Sequence, residues 1–387
     1  FLGYDVNTRR ADKAKVFNFV EADFGSDFQV LRRDNEFRYE LYDSATKILF
    51  SYSYLGKKNS DKKSYFATSQ VAFDFTTGKQ IWSGGIIEPY DKEKASQILT
   101  AIDDNGTTYA LFKINNEKGS IATKEGTPDY ACELMKYTPY GKFESILTYR
   151  PTKFTIIHEE RISNDGMLTM AGTYKDKDGE GLKGVYTVRI DLNSRKVVYE
   201  RYFDFTDEMV NYLMLDKKGQ KGKDYGVNNL FGVDNVTFDD NGGFVYAAEV
   251  TYTLGGKDDI QFIYNDIVAM RVSNNGKLEW AKVIPKRQVN NGSYTTTYYN
   301  GKDYFFYMDN SSNTTASVAA IPAIFKKSEP FTLHYTTIDN AGDITTGNLG
   351  PIDPGIIDYL DIDRSVKVTD NIIIGSGLLT GYSIKID

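Results

Sequence analysis

The chain has 387 residues and a net charge of −7 with its basic residues scattered, which excludes a face built to neutralise nucleic-acid phosphates. A hydrophobic content of 41% can supply a large core, yet no run approaches the roughly 18 apolar residues that a membrane helix needs. Aromatic residues reach 14%, with 29 Tyr and 23 Phe, and Tyr, Phe, Thr and Val suit a half-buried pleated surface, so the expected class is all-β. Cys132 is the single cysteine, which leaves no internal disulfide, and within Tyr130-Ala131-Cys132-Glu133-Leu134 it reads as a core residue. The start at Phe1 without Met suits a mature, exported protein, with a periplasmic, outer-membrane-associated or secreted location.

Taken in chain order, short polar turns recur between alternating apolar runs. One set marks hairpins between strands A and B: Ser44, Asp103-Asp104-Asn105-Gly106, Asn164-Asp165-Gly166, Asp239-Asp240-Asn241-Gly242, Asn300-Gly301 and Asp370-Asn371. Asn-Gly and Asp-Gly favour tight hairpins because Gly and Asn tolerate the positive φ that type I′ turns demand. A second set joins strands C and D at Thr77-Gly78-Lys79, Tyr140-Gly141-Lys142, Asn193-Ser194-Arg195, Asn275-Gly276-Lys277 and Ala341-Gly342-Asp343. The A–B markers are spaced by 61, 60, 76, 59 and 70 residues. The two long gaps hold insertions: 206–227, a short helix with Thr206 as N-cap followed by Lys- and Gly-rich sequence, and a Ser/Thr/Ala-rich loop over 311–330.

A four-strand repeat near sixty residues predicts a six-bladed β-propeller as a single domain over 1–387, with seven blades or a split sandwich as alternatives. The blades are expected at about 36–84, 97–149, 154–205, 228–286, 293–348 and 357–387. The last is short of strands, and residues 14–31 are expected to join it and close the ring. Up-and-down connectivity puts the A–B and C–D turns on one face. The longer B–C and D–A connections, including 56–64, 112–128, 174–183, 206–227, 252–263, 286–293 and 311–330, then share the other, where a binding site is expected.

The densest polar stretch lies on that expected face. Glu249 is placed at the end of a B strand, Tyr264-Asn265-Asp266 at the start of the next C, Lys286-Arg287-Gln288 at the exit of a D, and Asp309-Asn310 at the end of the following B. Together they compose a candidate cleft for a saccharide or a peptide, or else ion pairs that brace adjacent blades. Other motifs carry less. Asp176, Asp178 and Glu180 open like a calcium loop, but Thr187 stands where a bidentate Glu is required, so calcium is a weak expectation and no other cofactor is implied. His158 and His334 sit in apolar strand patterns far apart, so no metal or nucleophile triad is signposted. Asp74 to Trp82, with Thr77-Gly78, resembles the blade-docking repeat of quinoprotein propellers, and Trp82 and Trp280 are expected to pack between blades.

The run Tyr264-Asn265-Asp266-Ile267, the later Gly276 to Trp280 with Ile284-Pro285-Lys286 and Gln288, and the Asp309-Asn310 pair resemble a family of exported β-propeller-like proteins of Bacteroidota, best over about 228–312. The resemblance implies fold and location, not a reaction. The functional expectation is an exported, non-catalytic propeller binding a saccharide, peptide or envelope protein. The alternatives are a carboxylate-dependent glycan hydrolase or lyase and a cell-envelope scaffold.

Overall fold

The computed structural model describes residues 4–5, 10–11, 24, 26–42, 46–75, 77–116, 121–123, 125–137, 143–178, 181–207, 209, 231–254, 261–286, 288–289, 294–310, 331–351, 366–369, 372–376 and 381–386. They are all-β. A small ribbon pairs β1 (Tyr4–Asp5) with β2 (Arg10–Ala11). Five four-stranded antiparallel meanders follow. The first is β3 (Phe28–Tyr42), β4 (Lys47–Lys58), β5 (Ser64–Asp74) and β6 (Gln80–Ile87). The second is β7 (Ala95–Ile102), β8 (Thr108–Asn115), β9 (Tyr130–Tyr137) and β10 (Glu144–Tyr149). The third is β11 (Phe154–Ile162), β12 (Met167–Lys175), β13 (Gly184–Asp191) and β14 (Lys196–Asp204). The fourth is β15 (Phe231–Phe238), β16 (Phe244–Leu254), β17 (Gln261–Val272) and β18 (Leu278–Ile284), with β19 (Gln288–Val289) added beside β17. The fifth is β20 (Tyr294–Tyr299), β21 (Lys302–Asn310), β22 (Phe331–Asp339) and β23 (Ile344–Pro351). A three-stranded sheet ends the chain: β24 (Val366–Thr369), β25 (Ile372–Ser376) and β26 (Gly381–Lys385).

Among the described residues the complete sheets therefore number five rather than six, and the C-terminal segment holds three strands. Residues 28–31, expected to complete the last blade, instead begin β3, where Phe28, Gln29 and Val30 pair with Lys58, Lys57 and Gly56 of the first sheet. Of the remaining N-terminal residues assigned to closure, 14–23 and 25 lie outside the described residues. Met209 N donates to Thr206 Oγ1 at 3.2 Å, the N-cap contact expected of that threonine, while Glu208 and residues 210–227 of the insertion fall outside.

The expected A–B and C–D turns within the described residues fall between paired strands, in connections of two to five residues, while Ser44, Tyr140-Gly141-Lys142 and Asp370-Asn371 lie outside the described residues. Their geometry differs from the expected type I′. At Asp103, Ser163, Asp239, Ser273 and Asp339 the residue three positions on, always Gly, donates its N–H back to the carbonyl, and only that Gly has positive φ. This is a type I turn closed by a left-handed Gly, the form that a three-residue hairpin loop takes. Asp103, Asp239 and Asp339 lock it by accepting two further backbone N–H bonds on Oδ1, at 2.8–2.9 Å. Type I′ occurs at Asn300-Gly301, where φ is 48° and 77°.

The described residues divide into two compact units. The first comprises 1–152 with 162–168 and 191–196; the second comprises 153–161, 169–190 and 197–387. Within each unit, successive sheets stack face to face. In the first, Ile86 and Tyr90 pack on Ala110, Phe112, Met135 and Tyr137 of the second sheet, and Gln70 Nε2 donates to Tyr137 Oη at 3.0 Å. Trp82 lies in a cluster with Tyr42, Leu49, Ala72 and Ile102. Cys132 is buried in this unit, as expected. In the second unit Ala171 and Val185 of the third sheet meet Phe244, Tyr246 and Val268 of the fourth. Trp280 of the fourth meets Tyr294, Phe305 and Ile338 of the fifth, so it packs between sheets as expected. Ile384 and Ile386 then lie on Phe306, Met308 and Leu333. Each such fully buried side chain contributes about 1.5–3 kcal/mol.

Two turn glycines separate backbone cost from packing cost. Gly78 has φ +71°, and a Cβ added there would meet nothing within 4 Å, whereas a Cβ on Gly342, at φ +86°, meets Trp280 Cβ at 3.1 Å. Gly78→Ala is expected to cost about 1–2 kcal/mol in urea unfolding, the left-handed penalty alone, and Gly342→Ala measurably more.

Candidate functional site

The candidate residues gather around the long β16–β17 hairpin. Its ladder runs past the end of β18, so Thr251 to Leu254 pair with Tyr264 back to Gln261, and of what the sequence marked as the irregular loop 252–263, residues 252–254 and 261–263 are paired strand while 255–260 lie outside the described residues. Glu249 is consequently in the middle of β16 rather than at its end, and Asp266 is inside β17. Glu249, Ile267 and Ile284 form one row across three strands, with a bulge between Glu249 and Thr251. Pro285 then stops the β18 ladder, because it has no N–H to donate. The chain crosses over the hairpin, Lys286 N donates to Asp266 Oδ1 at 3.0 Å, and Gln288 and Val289 resume pairing opposite Tyr264 and Ile263.

This crossing brings the Lys286 ammonium onto Glu249 Oε1, and both side chains are 0% exposed. Asp266 is 3% and Asp309 1% exposed. Burial pushes the Glu249 carboxyl above the ordinary carboxylate range despite the pull of Lys286. A buried pair of this kind is held by mutual compensation, since either charge alone would be left without solvent.

The fifth sheet supplies neighbours that the sequence did not single out as a group. Tyr307 lies opposite His334 in the β21–β22 register, with ring centroids 5.7 Å apart, and Tyr307 Oη is 3.0 Å from Thr336 Oγ1. Thr332 Oγ1 and His334 Nε2 are 2.5 Å apart. Burial, augmented by the charges of Asp309 and Asp266, raises the Tyr307 hydroxyl to about 12. Those two carboxyls therefore act on one phenol from different sheets. Burial also drives the His334 imidazole down to about 4, so it is neutral at physiological pH. The available signal was the period of two that puts Tyr307 and Asp309 on one face of β21.

Of the expected residues, Glu249, Asp266 and Lys286 are thus brought together, and Asp309 shares Tyr307 with Asp266. For Tyr264, Gln288 and Asn310 the structure supplies backbone pairing, Asn265 falls at the bulge in the β16–β17 register, and Arg287 lies outside the described residues. The bracing contact forms inside the fourth sheet rather than between neighbours. Elsewhere, Asp176 of the calcium-like loop is held by Lys153 at 2.8 Å and Lys183 at 3.9 Å, and Glu180 is outside the described residues. Among the described residues no group of three or more His, Cys, Asp or Glu is placed to hold a metal ion. His158 Nε2 pairs with Thr173 Oγ1 at 3.0 Å.

Repeated four-stranded antiparallel meanders, stacked sheet on sheet within each unit, define an all-β repeat protein. No family model matches the chain, and no curated protein does. Among solved structures it is similar to Kuenenia stuttgartiensis hydrazine synthase, at 11% identity and TM-score 0.39 over 86% of this chain and 74% of that one. A Synechocystis apocarotenoid oxygenase mutant aligns at 8% identity and TM-score 0.39 over 92% of this chain, which spans 65% of the oxygenase. The β-propeller domain of the trilobed protease from Pyrococcus furiosus aligns at 10% identity and TM-score 0.28 over 94% of this chain and 97% of that one. Likenesses of this size carry no argument, and the sheet repeat rests on strand order and packing alone.

Two outcomes check the geometry. Lys286→Met is expected to destabilise the protein by about 3–5 kcal/mol by stranding Glu249, and Glu249→Gln in that background to recover much of the loss, measured as a double-mutant cycle in urea. Because the folded His334 titrates below its ordinary 6.5, its share of stability is present above 6.5 and fades as pH falls toward 4. His334→Gln is expected to flatten the Tm against pH curve in that window.

Proposed function

We propose that the chain is an exported, non-catalytic binding propeller whose ligand or partner is met at the ends of the sheets that carry the B–C and D–A connections. The observation that carries this reading is the asymmetry between the two ends of each sheet. Among the described residues one end holds hairpins of two to five residues, several pinned by side-chain caps, whereas the other holds, beside short links such as 59–63 and 150–153, the longer connections 88–94, 116–129 and 176–183. Variable connections on a rigid frame are where recognition is built. Lysines resting on tyrosine rings mark the same ends: Lys58 over Tyr65 at 4.0 Å, Lys113 over Tyr130 at 4.1 Å and Lys153 over Tyr174 at 4.6 Å. The tyrosines themselves are buried, so what these ends offer a saccharide, a peptide or an envelope protein is the cationic edge of the lysines above them. In this reading the buried Glu249, Asp266, Lys286 and Asp309 cluster supports the surface from beneath instead of touching the ligand.

The finer reading of the fold belongs to the same proposal: the C-terminal strands are the sixth blade of one ring, and the family resemblance extends to location. The hydrolase alternative has one specific foothold. Glu88, 6% exposed just past the end of β6, is raised by burial to about 7, the range of a glycosidase acid.

A glycan and peptide array probed with wild type and with a Lys62→Ala, Lys92→Ala, Arg150→Ala variant tests the binding face, since all three residues are exposed at the long-connection ends. Binding lost in that variant and kept in an Asp104→Ala, Arg195→Ala hairpin-end control is the expected result. The reverse pattern sinks the assignment, and product release that disappears in Glu88→Gln promotes the hydrolase.

A further inference from the structure

Buried charge occurs at both ends of the stacked fourth and fifth sheets, in two chemically different forms. At the hairpin end Arg271 of β17 sends Nη1 to both carboxylate oxygens of Asp303 on β21 at 2.9 Å. Its Nη2 reaches Asp239 Oδ2 in the β15–β16 turn at 2.5 Å, and its Nε reaches Glu279 Oε2 on β18 at 2.9 Å. Three carboxyls share these donors, and a guanidinium keeps its proton inside a protein, so it has no amine lone pair to offer. That cluster can only be ionic.

At the long-connection end the cation is an amine. Lys286 Nζ lies against Glu249 Oε1, and both side chains are 0% exposed. Beyond that contact neither Glu249 oxygen has a hydrogen-bond partner among the described residues. A carboxylate shut away from water and served by a single donor group is poorly stabilised as an anion, and passing the ammonium proton to it removes both buried charges at once. Burial favours the acid form of Glu249 accordingly. The pair then consists of a neutral amine in contact with a neutral carboxylic acid. Both partners are fixed by the backbone. Glu249 shares a face of β16 with Val245 and Ala247, which pack with Phe305 and Tyr307 of the fifth sheet. Lys286 is anchored by its own N–H on Asp266 Oδ1 at 3.0 Å, just after Pro285 has ended the β18 ladder.

We propose that Lys286 and Glu249 condense into an intramolecular amide that ties the crossover after β18 to the middle of β16. Lys286 Nζ, as the free amine, attacks Glu249 Cδ. The Nζ–Cδ bond forms, one Cδ–O bond breaks, and the departing hydroxyl takes a proton from the nitrogen and leaves as water. The ion pair contains the same atoms and net charge as the amide plus that water, so no oxidant, cofactor or outside proton is consumed. Holding the two groups in contact replaces a bimolecular encounter with an effective concentration of about 10⁵–10⁸ M, which lets an unactivated acid and amine react. A site closed to solvent then resists the reverse hydrolysis. The bond forms whatever ligand the surface above it binds.

Intact-mass spectrometry of the denatured full chain tests this. The wild type is expected to be lighter than its sequence by one water, and a tryptic digest to yield the Lys286 and Glu249 peptides joined. Lys286→Arg keeps the positive charge without the amine and is expected at its full sequence mass. Glu249→Gln is expected to release ammonia in place of water and to give the same joined peptides. A wild type at full sequence mass overturns the proposal. So does a deficit of one water that survives in Lys286→Arg, since it then belongs to ring closure at an Asp-Gly turn such as Asp165-Gly166. Should Lys286→Arg fail to fold, the digest decides by itself, and full recovery of Lys286 and Glu249 on separate peptides sinks the bond.

Discussion

A four-stranded meander cannot bury two apolar faces by itself, and every larger feature of this chain follows from that constraint. The inner strands are buried on both sides: β12 and β13 are buried at nearly every position, and β8 over its first five. Such strands lose the alternation of a one-sided sheet and require a neighbouring sheet on each face. The outer strands differ. In β14 only Tyr199 is buried, in β10 no residue is, and Ile344 and Leu349 of β23 are about half exposed. Sheet stacking is thus driven by the middle of each sheet, and the rims are left free to vary.

The polar residues obey the same constraint with less freedom. At one end of the stacked sheets a charge inside the seam must be matched, and Arg271 does so across the fourth and fifth sheets. Glu249 and Lys286 pair inside the fourth sheet. The difference comes from chain path. Arg271 points from a strand into the adjoining sheet, while Pro285 turns the backbone so that Lys286 folds back over its own hairpin.

How much was legible in sequence follows from which interactions are local. Turn positions are local, and the Asn-Gly, Asp-Gly and Ala-Gly markers fall between paired strands because Gly accepts the left-handed conformation that each hairpin needs. Turn type was not legible, since it depends on whether the loop holds two residues or three, which is a matter of register. Ile102 pairs with Thr108, so Gly106 closes a bulged loop, whereas Tyr299 pairs with Lys302 and only two residues remain. The cluster around Glu249 was recognised as a group, but its depth was misjudged. Nothing near Glu249 signals that the β16–β17 ladder continues to Leu254 and converts an apparent rim into an interior. Arg271 and Asp303 escaped notice for a related reason: they are 32 residues apart and meet only when two sheets stack.

The concealment of Lys286 also gives the molecule an internal clock. An amine-acylating reagent reacts with accessible, unprotonated lysines within moments, but this ammonium is shut off from solvent and bound to a carboxylate. While the pair stays ionic, it can be modified only during excursions in which the crossover lifts from the hairpin. The rate at which that one lysine acquires a covalent tag, set against the surface lysines, would therefore time the breathing of the fourth sheet without any change to the sequence.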